Sequence, residues 1–253
     1  KNAHIGIAMG ERGTDVAREA AAIVLLKDEF TSIVAAVRMG RRIFDNIRKA
    51  MGYILAVHVP IAGLVLLPVL LRWPLILHPV HIVFLELIID PTCSIVFEGE
   101  PEEADIMDRP PRDPSKPTFN RRMVTTSLLQ GIGILAAILL VFGLGYYRRG
   151  LSEVDARGLA FTTLIFANIA LILTNRSWTR SITSTLRTPN TSLWWVVAGA
   201  LGVLVVTLYV PAAAHMFKMD AQHPIDLLIA AAVGIATILW FELFKVLKPK
   251  ALQ

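Results

Sequence analysis

Uncharged stretches dominate the chain from residue 50 onward. Ala50 to Leu71 carries no charge and is bracketed by Lys49 and Arg72. At ~1.5 Å of helical rise per residue, a stretch of this length crosses a ~30 Å hydrocarbon core. Met123 to Tyr147 and Gly158 to Asn175 are also uncharged, and Thr188 to Phe217 holds only His215 as a titratable residue. Leu227 to Phe241 is shorter, but extends from Ile225 to Val246 if Asp226 and Glu242 sit near the interfaces. Leu75 to Phe97 is a further candidate that carries the charges of Glu86 and Asp90 inside it. A soluble amphipathic helix shows one apolar stripe repeating every 3.6 residues, whereas these segments are apolar all round. The pattern predicts six membrane-crossing helices at about 50–71, 75–97, 123–147, 158–175, 190–212 and 225–246.

Residues 1–35 read differently. Ile5 to Met9 predicts a short buried strand, Gly10 and Gly13 a turn, and Thr14 an N-cap for a helix over Asp15 to Ala22. Ile23 to Leu26 predicts a second strand, and Glu29 to Lys49 a helix that leads into the first span. A strand–helix–strand of this length is a βαβ half-unit. Two strands make no stable sheet alone, so the piece needs strands from elsewhere. The expected fold is therefore mainly α: a six-span polytopic bundle preceded by a small, incomplete α/β piece, divided as 1–35, a stalk at 36–49, and a membrane domain at 50–253.

Composition and charge sharpen this reading. Of 253 residues, 55% are hydrophobic and 18% charged, with a mean hydropathy of +0.58. That excludes an ordinary soluble globule, which carries about a quarter charged residues, and equally excludes a disordered chain. The single cysteine, Cys93, can form no intrachain disulfide and reads as a buried, inert thiol. No secretory signal is visible at the start, and the chain opens on Lys1, which reads as a beginning in mid-protein. Basic residues gather on alternate connections. Sixteen fall in the stalk from Arg38 to Lys49, between spans two and three, between spans four and five, and in the tail, against five in the other connections. By the positive-inside rule both termini are cytoplasmic. This asymmetry accounts for the net charge of +5 without nucleic acid as a partner. Trp194, Trp195, Tyr146, Tyr147 and Trp240 fall near span ends, as an interfacial belt would.

The candidate chemistry lies within the membrane. Glu86 and Asp90 are four residues apart, which puts both carboxylates on one face of the second span. A mid-bilayer carboxylate costs ~2.5–3.5 kcal/mol on insertion scales, so a pair demands compensation. Pro91 removes the N–H that would reach the Leu87 carbonyl and disfavours helical geometry at Asp90, so an unwound turn is expected here. Free carbonyls beside two carboxylates outline a hard-cation site, to which Thr92 could add a hydroxyl. The alternative is that the carboxylates are protonated or pair with another helix. His58, two residues before Pro60 in the first span, reads as a ligand, as a group titrating near neutral pH, or as a hydrogen-bonded core histidine. Glu98, Glu100, Glu102 and Glu103 read as a solvated face. The glycines of spans three and five, from Gly131 and Gly133 to Gly199 and Gly202, read as helix-packing positions.

The run Lys1-Asn2-Ala3-His4-Ile5-Gly6-Ile7-Ala8-Met9-Gly10, then Gly13-Thr14-Asp15-Val16-Ala17 and Ala20 to Leu26, resembles the end of the phosphorylation domain of P-type cation-transporting ATPases. Gly40 to Ile47 resembles that family's stalk entering its fifth membrane helix. Asp105-Ile106-Met107-Asp108-Arg109-Pro110-Pro111-Arg112 is similar to the loop after the sixth helix in the calcium-pump-like branch. The resemblance implies that the α/β piece belongs to a Rossmann-like phosphorylation domain and that the six spans are the family's fifth to tenth. It implies transport-site roles for Asp90, which matches the family's aspartate on this helix, for Glu86 and for His58, with Thr92 and Asn168 as further candidates. Glu86 and His58 fall where the calcium pump has asparagines, and Ile61 replaces a family glutamate. Asn168 falls where glutamine or glutamate is frequent, and reads as packing glue or a ligand.

The resemblance further implies ATP and Mg2+ as cofactors of a parent pump, Ca2+ among the candidate cargoes, and a multi-pass place in a bacterial plasma membrane. Its partners would be the lipid bilayer and the rest of the pump: actuator, nucleotide-binding and phosphorylation domains and four preceding helices. The phosphorylated Asp-Lys-Thr-Gly-Thr and dephosphorylation Thr-Gly-Glu motifs do not occur in this sequence, and the Gly-Asp-Gly-x-Asn-Asp motif would precede Lys1. No catalytic residue is therefore expected here. The competing expectation is a non-catalytic membrane subunit or regulator docking on a separately encoded pump core. A secondary transporter is a third option, but no inverted repeat is visible among the spans.

Overall fold

A computed structural model describes residues 4–113, 115, 117–178 and 180–247. It divides into two compact units, one of residues 1–45 and 102–112, the other of residues 46–101 and 113–253.

In the first unit, strands β1 (Ile7–Met9) and β2 (Ile23–Leu25) pair in parallel, with Ala8 opposite Val24, and helix α1 (Asp15–Ala20) connects them. The expected N-cap forms: the Thr14 hydroxyl accepts from the Ala17 N–H at 3.2 Å. Asp28 ties the ends of the motif together, accepting the N–H groups of Glu11 and Arg12 at 3.1 and 2.9 Å and the Arg12 Nε at 3.0 Å. Burial pushes the Asp28 carboxyl up, but the Arg12 side chain and the N–H groups of Arg12, Glu11 and Gly10 outweigh it and hold it below the ordinary carboxylate range. Ile5, Val16, Leu26 and Phe30 are exposed, the surface expected of a two-stranded sheet short of neighbours. The first turns of α2 (Thr31–Leu71) also belong to this unit. The segment 102–112 packs on them: Arg41 Nη1 donates to the carbonyls of Ile106 and Arg109 at 2.7 Å each, and Arg109 pairs with Asp45 at 2.8 Å. The Arg112 guanidinium lies 4.6 Å from the Phe44 ring centre.

The second unit is the helical bundle. Six helices are long and apolar enough to cross a membrane: Thr31–Leu71, Pro79–Phe97, Arg121–Arg148, Glu153–Asn175, Thr191–Tyr209 and Pro224–Lys245. In finer detail, α3 (Pro79–Pro91) continues into a π-helical turn over Thr92–Phe97, and α4 (Arg121–Gly143) ends in another over Leu144–Arg148. Helix α5 (Glu153–Asn175) is the central element, with its apolar window 83% buried. A short α6 (Ile182–Leu186) precedes α7 (Thr191–Tyr209). Pro211, with no N–H to continue α7, opens the separate α8 (Pro211–Phe217). The last span is broken into α9 (Pro224–Ala236) and α10 (Leu239–Leu247).

Two glycines allow helices to touch through their backbones. A Cβ on Gly131 of α4 would stand 2.5 Å from the Ala56 carbonyl of α2, and one on Gly234 of α9 would stand 2.8 Å from the Thr163 carbonyl of α5. Among the other glycines read as packing positions, Gly133, Gly143 and Gly145 face side chains of Trp240, Trp73 and Leu151, whereas Gly199 and Gly202 of α7 face open space.

Several expectations are corrected. Span two starts at Pro79, because Leu75 to His78 form a non-helical approach, although Ile76 and Leu77 are buried. Its centre does not unwind at Pro91. The residue keeps helical angles (φ −62°, ψ −32°), and the missing N–H is absorbed by widening the next turn into π geometry. The four glutamates after span two are not one solvated face, since Glu100 and Glu103 are buried. Cys93 is half-buried rather than buried. Arg157, expected in a connection, lies inside α5 and is buried, donating Nε to the Leu75 carbonyl at 3.0 Å and Nη1 to that of Lys218 at 2.8 Å.

Candidate functional site

Helices α2 and α3 bring His58 and Glu86 together halfway along their apolar runs, with Nε2 and Oε1 3.6 Å apart. His58 sits in mid-span and its Nδ1 lies 2.8 Å from the Ile54 carbonyl one turn earlier. A carbonyl only accepts, so Nδ1 carries the hydrogen of that bond. In a neutral imidazole Nε2 then presents its lone pair to a carboxylate. Two acceptors facing each other repel. A proton on Nε2 or a cation between them turns the pair attractive. Two cis ligands at ~2.4 Å from a metal lie ~3.4 Å apart, close to the observed separation.

Asp90 follows one turn along α3 and is exposed, while His58 and Glu86 have side chains 49% and 41% exposed. All three thus lie on an open face of the unit. On the same helix Val83 and Leu87, within one turn of Glu86 and Asp90, are exposed too, so the carboxylates stand beside apolar side chains. Pro91 provides no N–H to the Leu87 carbonyl, at the junction with the π turn. Thr92 is fully buried, and its hydroxyl donates to the Ile88 carbonyl at 2.7 Å. Asn168 on α5 is buried, with its Oδ1 accepting the Tyr53 hydroxyl at 2.8 Å and its Nδ2 without a partner. The sequence candidates therefore separate into an exposed group (His58, Glu86, Asp90) and a buried pair (Thr92, Asn168) already hydrogen-bonded to protein. No group of three or more His, Cys, Asp or Glu that could hold a metal ion forms among the described residues.

The structure adds a polar centre that sequence reasoning had read as solvated. Glu100 is 0% exposed and Arg176, at the end of α5, is 1% exposed. Glu100 pairs with Arg176 Nε, and its Oε1 also accepts Asn190 Nδ2 at 2.6 Å. Asn190, the N-cap of α7, donates to the Val96 carbonyl at 3.0 Å, Arg176 Nη2 donates to that of Thr188 at 3.2 Å, and Asn46 Nδ2 donates to that of Glu100 at 2.8 Å. The ends of four helical segments meet here. A cue in the sequence was that Glu100 sits between Gly99 and Pro101, next to a turn rather than along a charged run. A second buried polar residue, one the sequence pattern does not single out, is His81 in α3. It accepts the His78 N–H on Nδ1 at 2.8 Å and donates from Nε2 to the Phe217 carbonyl at 2.8 Å. On the non-helical approach to α3, burial and the charges of Arg157 and Lys218 push His78 below the ordinary imidazole range.

Residues 74–247 match the family described as "Cation transporting ATPase, C-terminus". The chain is 33% identical over 243 residues to the calcium-transporting ATPase of Bacillus subtilis (strain 168), covering 96% of this chain and 27% of that protein. It is 31% identical to a calcium-transporting ATPase of Listeria monocytogenes over 99% of this chain and 28% of the relative. Against calcium-transporting ATPase type 2C member 2 of Mus musculus it is 29% identical over 97% of this chain and 26% of the relative. The chain thus spans about a quarter of the length of these relatives. With six membrane-length helices and this match over most of its length, it is a multi-pass membrane protein that belongs to the cation-transporting ATPase family, and it aligns with that family's C-terminal region.

Proposed function

We propose that this chain is the ion-carrying membrane portion of an ATP-driven cation pump, with the cation held at His58, Glu86 and Asp90. The observation that carries the reading is the His58–Glu86 pair: two acceptor atoms 3.6 Å apart in mid-span, one turn from a second carboxylate. Ionised, this group is costly against lipid, and both a cation and further helices over the open face would relieve that cost. In this reading four preceding helices cover the face. Residues 1–35 complete a phosphorylation domain, 36–49 form the stalk, 50–253 form the transport domain, and coupling runs along α2.

The relatives named as calcium-transporting make Ca2+ the first cargo to test. The carboxylates suit it, whereas the imidazole of His58 also suits softer divalent ions such as Mn2+. ATP hydrolysis with Mg2+ is assigned to sequence outside these residues. Thr92 and Asn168 help shape the site in this reading rather than supply its first ligands.

The test uses the full-length gene product. Ion-dependent phosphoenzyme formation from ATP is titrated with Ca2+ and with Mn2+ in the wild type, Asp90→Asn, Glu86→Gln and His58→Ala. Loss of ion dependence in Asp90→Asn, together with weakened apparent affinity in the other two, is the expected result. Normal ion-dependent turnover in Asp90→Asn overturns the assignment.

A further inference from the structure

A cavity of about 540 Å³ opens between the approach to α3, the first turns of α5 and the end of α8. That size lies in the range of small-molecule pockets. Two buried side chains hold its walls in place. Arg157 donates to the carbonyls of Leu75 and Lys218 at 3.0 and 2.8 Å, and His81 bridges the His78 N–H to the Phe217 carbonyl at 2.8 Å on each side. The cavity is therefore a built feature of this end of the bundle rather than a gap between loose connections.

Its polar lining carries both signs of charge. His78 Nε2 is buried and has no hydrogen-bond partner. Lys218 and Asp220 are exposed, and among the described residues neither side chain is paired. Arg157 contributes charge rather than a free edge, because it serves two carbonyls and its Nη2 lies 3.9 Å from Glu153. Burial and the charges of Arg157 and Lys218 push His78 below the ordinary imidazole range, so the field at its ring is positive despite the carboxylates of Glu153 and Asp220. A neutral imidazole can donate from Nε2, so His78 and Lys218 together ask for an anionic oxygen, while Asp220 asks for a cation.

We infer that this cavity binds the headgroup of a zwitterionic phospholipid with a primary ammonium, its phosphate at Lys218 and His78 and its ammonium at Asp220. Depth in the bilayer favours a lipid as the source. Every charged residue lining the cavity lies at the start of a membrane-length helix or in a connection between two, where a bilayer places its headgroups. Leu75, Val154 and Met219 add apolar wall beside these groups, as the glycerol end of a lipid requires. Phosphatidylethanolamine carries both charges. Phosphatidylglycerol lacks the ammonium, and the quaternary ammonium of phosphatidylcholine has no N–H to donate to Asp220. Free phosphoethanolamine has the same two groups without the anchor, which separates the two sources. The inference does not rest on the cation site, since none of the proposed cation ligands lines this cavity.

The experiment is native mass spectrometry of the full-length gene product, released from vesicles of phosphatidylethanolamine, phosphatidylglycerol and phosphatidylcholine in equal parts and, separately, exposed to phosphoethanolamine. Wild-type protein should retain phosphatidylethanolamine through detergent stripping in preference to the other two. Lys218→Asn, a residue type that tolerates the left-handed backbone at this position (φ 51°), should lose about tenfold in that retention, the size of one good charge-assisted contact. His78→Phe removes Nε2 while keeping a ring and the N–H that His81 accepts, and should lose severalfold. Asp220→Asn should erase the preference over phosphatidylcholine and leave phosphatidylcholine retention as it was. If His78→Phe does not elute as a single folded species, the exposed Lys218→Asn and Asp220→Asn carry the same test. Equal retention of the three lipids, or phosphatidylethanolamine held unchanged in Lys218→Asn, overturns the site. Preference for phosphatidylglycerol, or an Asp220→Asn protein that still discriminates against phosphatidylcholine, overturns the ammonium contact. Phosphoethanolamine held by a protein that does not retain phosphatidylethanolamine overturns the lipid assignment.

Discussion

Replacing Glu100 with glutamine is the sharpest test of how the bundle's polar end is held together. The change keeps the shape of the side chain and removes its charge. It leaves Arg176, 1% exposed, facing a neutral amide, and it removes the charge from the hydrogen bond that Asn190 donates at 2.6 Å. Breaking one partner of a buried ion pair costs about 3–5 kcal/mol, because the surviving charge stays desolvated. At roughly 2–4 °C per kcal/mol for a domain of this size, the midpoint of thermal unfolding should fall by about 6–20 °C. The assay is the loss of the monodisperse peak of full-length protein on size-exclusion chromatography after heating in mild detergent. The double variant Glu100→Gln/Arg176→Met provides the control. With both charges gone the desolvation cost disappears, so it should recover much of what the single change loses. A Glu100→Gln protein that melts with the wild type would refute the reasoning. So would a double variant whose loss equals the sum of the two single losses, because the two side chains would then act independently.

Two further outcomes follow from the structure. Gly131→Val should lower the yield of folded protein and destabilise it by at least about 1–3 kcal/mol, since its Cβ alone would stand 2.5 Å from the Ala56 carbonyl; Gly199→Val, facing open space, is the matched control in the same melting assay. Asp28 stays ionised to lower pH in the folded than in the unfolded chain, so its stabilisation is complete above the unfolded carboxylate pKa of ~3.9 and is lost as pH falls below it. Limited proteolysis of the full-length protein should show residues 10–30 becoming cleavable below about pH 4, and Asp28→Asn should flatten that pH dependence; an unchanged pH profile in the variant would remove Asp28 as its cause.

The sequence made legible whatever depends on long runs or on local chemistry. Six apolar segments became six membrane-length helices, and the Thr14 cap and the parallel β1–β2 pairing follow from residues a few positions apart. Tertiary pairing was not legible. Glu100 in isolation is one of four nearby glutamates, and its burial depends on Arg176 and Asn190, 76 and 90 residues away. Arg157 looked like a connection residue because charge usually marks a span's end, yet two loop carbonyls satisfy it inside α5. At Pro91 the sequence showed that a hydrogen bond is lost but not how the helix adapts. A π turn keeps the remaining bonds at lower cost than an unwound segment in an apolar setting. For the candidate site, helical spacing gave Glu86 and Asp90 a common face, whereas the approach of His58 to Glu86 depends on how α2 packs against α3.

Asn168 poses the remaining question, and the structure makes it decidable. Its Oδ1, the atom a cation would take, already accepts the Tyr53 hydroxyl at 2.8 Å. Both side chains are buried, so that bond contributes about 1 kcal/mol and orients the amide. Tyr53→Phe removes the competing donor while keeping the ring that packs 5.4 Å from Phe97. If Asn168 is a ligand, freeing its oxygen should tighten the apparent cation affinity in the phosphorylation assay. If Asn168 is packing glue, the same change should leave that affinity alone and lower stability by about 1–2 kcal/mol, since it leaves a buried carbonyl beside an already orphaned Nδ2. The geometry favours the second outcome, because an amide whose oxygen is held by a buried phenol and whose nitrogen has no partner is oriented by Tyr53 rather than by a cation. Tightened affinity in Tyr53→Phe, lost again in Tyr53→Phe/Asn168→Leu, would refute that and return Asn168 to the ligand set.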